Sequence, residues 1–163
     1  MKPAVVCNTG PLIALVIINR LELLKSLFQE VLIPEAIHWE ILQGGASLTG
    51  VSAYRETSWI KVRSIVGAAD RLIESILDAG EASVIRLARE AAVKLVLIDE
   101  RKARKVARSV YGLQVIGTAR VLVEAKREGL LENVGEAIEE MREAGYWIHD
   151  DIVRLALREA GEA

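Results

Sequence analysis

Two polar residues stand directly behind apolar runs: Asn8 after Ala4–Cys7, and Asp99 after Lys94–Ile98. In an open α/β sheet, ligands bind outside the carboxyl ends of the strands, so these positions are where chemistry is to be sought. Each also has an ordinary structural use. Asp99 could cap a helix starting at Glu100, and Asn8 could serve the turn before Gly10-Pro11. Glu40 and Glu81 are less expected. At 100° per residue, Glu40 falls between Ala36 on one side and Ile37 and Ile41 on the other, inside an apolar arc. Glu81 lies near the centre of the face made by Val84, Ile85, Leu87 and Ala88, with Arg86, Arg89 and Glu90 opposite. Its spacing from Asp78 is also that of a capping box. A carboxylate on a core-facing stripe is costly unless a cation or a hydrogen-bond network satisfies it. Two such acids therefore imply a shared cation. Oxygen donors suit Mg²⁺ or Mn²⁺, and neither His38 nor His149 has a partner at zinc-ligand spacing.

On the helix expected from Glu100, the residues Arg101, Arg104, Lys105 and Arg108 share one face, while Ala103, Val106, Ala107 and Val110 share the other. The basic face reads either as a solvated outer surface or as a track for a phosphate backbone passing beside the metal. Aromatic residues make up 4% of the chain, with Trp39, Trp59 and Trp147 far apart, so no base-stacking platform and no sequence readout are expected.

The elements that must position these groups alternate along the chain. Ala4–Cys7 is a strand, followed by helical stretches to Ile18 and from Leu21 to Phe28. Val31–Ile33 is a second strand, with Pro34 suited to open a helix running to about Leu42. Gln43–Thr57, rich in glycine and hydroxyl residues, reads as a loop leading to a short strand within Trp59–Ile65. Helices follow over Ala69–Leu77 and Gly80–Ala92, then a strand at Lys94–Ile98, a helix at Glu100–Tyr111 and a strand at Gln114–Ile116. Helices over Thr118–Glu128 and Glu136–Ala144, an edge strand at Tyr146–Ile148 and a helix over Asp151–Glu159 complete the chain. Strands that are apolar throughout and alternate with helices imply a three-layer α/β/α fold with a central, mainly parallel sheet.

The 163 residues fit one domain spanning 1–163, and 52% hydrophobic residues are enough for a core. The single Cys7 excludes a disulfide framework or a cysteine zinc site and fits a reducing cytoplasm. The apolar run Pro11–Ile18 is far shorter than the ~20 residues of a membrane span and has no basic leader, so no signal or anchor is expected. A net charge of −2 means that any contact with nucleic acid is local. A nucleotide-binding α/β domain is a weaker reading, because Gly10 and Gly44-Gly45 make neither a dinucleotide fingerprint nor a phosphate loop.

Several segments together resemble PIN-like domains, in the branch related to toxin ribonucleases. They are Val6-Cys7-Asn8-Thr9-Gly10-Pro11-Leu12-Ile13, Leu32-Ile33-Pro34-Glu35-Ala36 with Glu40, Asp78-Ala79-Gly80-Glu81-Ala82, and Leu97-Ile98-Asp99-Glu100-Arg101-Lys102-Ala103-Arg104. The similarity continues through Val115–Thr118, Glu124–Lys126 and Ala160–Glu162. The resemblance implies an acidic cluster on a parallel sheet, metal-dependent cleavage of single-stranded RNA, a small antitoxin partner and pairing into a homodimer. By position, the family's first acid falls on Asn8, the second on Glu40, the third on Glu81 and the fourth on Asp99 or Glu100. Asn8 departs from that pattern: it offers a carbonyl oxygen but removes a charge. Glu40, Glu81 and Asp99 supply three negative charges against the four positive charges of an ion pair, which favours one weakly bound Mg²⁺ or Mn²⁺. The same departure supports a weakened domain that binds nucleic acid or protein without cutting.

Overall fold

Five short apolar runs become the strands β1 (Ala4–Cys7), β2 (Glu30–Pro34), β3 (Ile60–Arg63), β4 (Leu95–Leu97) and β5 (Gln114–Ile116) in a computed structural model that describes residues 2–45 and 48–163. They form one sheet in the order β3-β2-β1-β4-β5, with every pair parallel. Val5, Val6 and Cys7 of β1 and Val96 and Leu97 of β4 are fully buried, as parallel strands covered on both faces require. Burial pushes the Cys7 thiol well above its ordinary range, so this cysteine is packing and not a nucleophile.

The helices are α1 (Thr9–Ile17), α2 (Glu22–Leu27), α3 (Glu35–Glu40), α4 (Leu48–Arg55), α5 (Arg71–Ile76), α6 (Ala79–Glu90), α7 (Arg101–Ser109), α8 (Thr118–Arg127), α9 (Val134–Glu143) and α10 (Asp150–Glu159). One face of the sheet carries α6, which packs across β1, β2 and β4 and against α3, α5 and α7. The other layer centres on α8, which meets α1, α2, α9 and α10. This is the three-layer α/β/α arrangement expected from the sequence. The chain winds outward from β1 to β3, then starts again at β4 and winds the opposite way to β5. The carboxyl ends of β1 and β4 therefore flank a topological switch point, where such folds open a ligand crevice.

Three local expectations are corrected. Gln43–Thr57 is not a loop throughout: a π-helical turn, Ile41–Gly45, extends α3, and α4 follows, while residues 46 and 47 of that stretch lie outside the described residues. Burial of Tyr54 (5% exposed), whose hydroxyl meets His38 Nδ1 at 2.7 Å, anchors α4 by tertiary contact despite its weak local signal. Tyr146–Ile148 is not an edge strand but the connection from α9 to α10. Its Ile148 carbonyl accepts from Arg142 Nη2 at 2.5 Å, and its Tyr146 side chain reaches inward. Finally, the cap of α7 is Glu100 and not Asp99: its carboxylate accepts from the N–H groups of Lys102 (3.1 Å) and Ala103 (2.7 Å).

Candidate functional site

The first turn of α1 touches Glu40 through Thr9 and comes close to Tyr146, which holds Asp99. Asn8 lies between β1 and α1, with its backbone N–H bonded to the Leu97 carbonyl at 3.0 Å, and its side chain does not cap the helix it precedes. The next residue, Thr9, donates its hydroxyl to Glu40 Oε2. Glu40 is exposed, not core-facing as the helical wheel implied, because it is the last residue of α3, where the stripe has already run past the sheet. Its two carboxylate oxygens lie 3.2 and 3.3 Å from where a Cβ on Gly80 would stand, so Glu40 rests on the start of α6.

Glu81, the next residue on α6, is half-buried and completes a capping box with Asp78: Glu81 N–H donates to Asp78 Oδ1 at 2.8 Å, and Asp78 N–H donates to Glu81 Oε1 at 3.3 Å. The structural role weighed for Glu81 is therefore present. Beyond it, the Glu81 and Glu100 carboxyls share a hydrogen bond across the gap between α6 and α7. Burial first, then the charges of Asp78 and Glu100, push the Glu81 carboxyl up to about 7, against the pull of the Asp78 N–H. At Glu100, burial is outweighed by the N–H groups of Ala103 and Lys102, so its carboxyl lies below the usual range.

Asp99 is held differently. Its Oδ1 accepts from Thr118 N–H at 2.7 Å, and its Oδ2 accepts from Thr118 Oγ1 at 2.5 Å and from the Tyr146 hydroxyl. Burial, then the Asp99 charge, raise the Tyr146 hydroxyl out of its ordinary range, so it remains a donor. That hydroxyl is 2.9 Å from where a Cβ on Gly10 would stand, which returns the path to the first turn of α1. A Cβ on Gly117 would lie 2.8 Å from Asp99 Oδ1 and 2.9 Å from Arg104 Nη1, so a side chain there would displace one of these groups.

Of the four basic residues proposed to track a phosphate backbone, Arg101, Lys105 and Arg108 are exposed on α7 and have no ion-pair partner among the described residues. Arg104 is turned inward: its Nη1 donates to the Ile98 carbonyl at 2.7 Å beside Asp99. Burial lowers the Arg104 pKa, and the Asp99 charge opposes that shift.

The contacts thus form a pair, Glu81 with Glu100, and a cluster, Asp99 with Thr118 and Tyr146, while Glu40 lies between Thr9 and Gly80 and Asn8 stands between β1 and α1. Among the described residues, no three acidic, histidine or cysteine side chains close around one ion. The donor set nevertheless fits a water-rich Mg²⁺ or Mn²⁺, which is commonly bound through one or two carboxylates and a substrate phosphate. Two carboxyls pressed together with one proton between them are the arrangement that a cation would relieve. Thr9, Thr118 and Tyr146 were not expected from sequence. The partners of Asp99 lie 19 and 47 residues away, and only the Thr118 hydroxyl just past β5 carried a positional signal.

A profile of the family described as PIN domain matches residues 4–162. No curated protein matches the chain.

Proposed function

The chain belongs to the PIN-domain family, a nuclease-type fold whose members generally use divalent metal ions, and from that premise we propose that it is a Mg²⁺- or Mn²⁺-dependent endoribonuclease acting on single-stranded RNA. What supports this reading is Glu40 held at the first turn of α1 by Thr9 and resting on the start of α6, together with the pairing of Glu81 with Glu100 between α6 and α7. Glu40, Glu81 and Glu100, with the Asn8 carbonyl oxygen, are the residues that would hold the ion. When bound, it supplies positive charge to the scissile phosphate. Glu81, deprotonated when the ion is bound, would accept the proton of the attacking water. Asp99, fixed by three donors, holds the junction of β4, β5 and α1 in place. Arg101, Lys105 and Arg108 contact the phosphate backbone, with Arg104 supporting the site from within.

Toxin-like action, a small antitoxin partner covering the acids, a second copy of the chain and a cytoplasmic setting belong to the same proposal. Ile152 and Leu155, one turn apart on α10 and about half exposed, are apolar residues that a second copy would cover. Among the described residues, no helix is long and apolar enough to cross a membrane.

Asn8 favours a second reading, a catalytically weakened module that binds RNA or protein, because it removes one charge from the crevice. Cleavage of a single-stranded RNA in Mn²⁺ separates the two. We expect turnover by the wild type and at least about a 100-fold loss in Glu40→Gln, the scale on which such charge stabilisation acts. Equal rates in both would assign the activity to a contaminant and favour the second reading.

A further inference from the structure

Trp147 is an exposed indole on a built support. It lies in the connection from α9 to α10 and is 65% exposed, yet the Arg142 guanidinium sits over one face of its ring, 4.0 Å from the centre. That guanidinium is itself held. Its Nε (3.2 Å) and Nη2 (2.5 Å) donate to the Ile148 carbonyl, and Nη2 also donates to Asp150 Oδ1 at 2.8 Å. Only 15% of the Arg142 side chain is exposed. A ring backed on one face by a fixed, largely buried cation and still this exposed turns its other face to water. The cation–π contact also restrains the indole, so a planar ligand that stacks on the open face has little side-chain freedom left to freeze.

The placement of this face ties it to the switch point. The preceding residue, Tyr146, gives its hydroxyl to Asp99 and lies against the first turn of α1 at Gly10. Trp147 is therefore one peptide bond from the residue that braces Asp99. The acids around it are already paired, Asp150 with Arg142 and Asp151 with Arg154, which lessens their repulsion of a phosphate strand. The wide spacing of the tryptophans hides this arrangement, because an arginine, and not a second aromatic, supports the ring. Trp39, 54% exposed, has a different setting: it meets the His38 ring edge-on, with 66° between the planes.

We propose that the open face of Trp147 is a stacking platform for one unpaired base of single-stranded RNA. The proposal rests on the ribonuclease reading for the choice of occupant, and it adds a contact that holds the strand without touching the reacting phosphate. Every base offers a π-face, so the platform tolerates any sequence.

The test compares the affinity of the full chain for a short labelled oligouridine and for the same oligomer built from dihydrouridine, read by fluorescence anisotropy without divalent metal so that nothing is cut. Saturating the ring double bond keeps the charge and the hydrogen-bonding edge of the base but removes its planarity. The wild type is expected to bind oligouridine roughly tenfold tighter, the scale of one stacked base. Trp147→Ala is expected to bind both oligomers at the weaker level, and Trp147→Phe to keep most of the preference. The comparison on the wild type decides the matter even where the alanine variant fails to fold. Equal affinity of the wild type for the two oligomers would overturn the platform, as would a preference that survives in Trp147→Ala. A Trp147→Ala protein that loses self-association but keeps its RNA preference would assign the indole to a protein contact instead. Preference that depends on Trp147, together with absent cleavage in Mn²⁺, would sink the nuclease reading and leave the platform standing; cleavage without the preference would do the reverse.

Discussion

Glu81 shows how one side chain can both cap a helix and pair with a second acid. It closes a capping box at the start of α6, and its carboxyl shares a hydrogen bond with that of Glu100. Its folded pKa, about 7, lies above the unfolded value of 4.5. The stability it contributes is therefore complete below about 4.5 and is lost as pH rises through about 7. Groups shifted the other way, such as Glu30 and Asp70, contribute above the ordinary carboxylate range and lose their effect only in acid, so they do not alter the comparison above pH 5. Metal-free protein is expected to melt at a lower temperature at pH 8 than at pH 5.5, and Glu81→Gln is expected to remove most of that difference, roughly 2 °C. Thermal scans of both proteins at the two pH values check this, and an unchanged pH slope in the variant would place the titrating group elsewhere. Asp99 illustrates the limit of reading single residues. Asp99 and Glu100 are adjacent acids that both suit a cap, and which of them caps α7 depends on Thr118 and Tyr146, residues no local pattern connects to them.

At the scale of elements, the parallel sheet and its alternation with helices were legible because β1, β2 and β4 are apolar on both faces and helices such as α6 and α8 carry one clear apolar side. The failures share a cause: tertiary contact overrode a weak local signal. The helix α4 contains Leu48-Thr49-Gly50-Val51-Ser52, a poor helical sequence, and holds through Tyr54. Tyr146-Trp147-Ile148 has the composition of a strand, yet Arg142 takes up the Ile148 carbonyl and stacks on Trp147 at 4.0 Å, while Tyr146 turns to Asp99. The position of Asn8 at the carboxyl end of β1 and the capping role of Glu81 were legible from spacing. The exposure of Glu40 was not, since a helical wheel ignores where the helix ends. The α9–α10 connection is thus a brace for the site. Tyr146→Phe removes one of three donors to Asp99 and is expected to cost about 1 kcal/mol in chemical denaturation, with reduced RNA cleavage. A variant as stable and as active as the wild type would show that the brace is dispensable.

For the whole molecule, a net charge of −2 and a small basic face on α7 describe a protein that depends on local geometry, not on a general attraction for nucleic acid. The account stands on the crevice between β1 and β4 being a cation site built by residues distant in sequence. The most direct measurement is anomalous diffraction from crystals soaked in Mn²⁺. The expected result is one ion bound through oxygen of Glu40, Glu81 or Glu100 at about 2.1–2.2 Å, with the rest of its shell completed by water. Density for Mn²⁺ only at surface carboxylates remote from the first turn of α1, at millimolar metal, would contradict it.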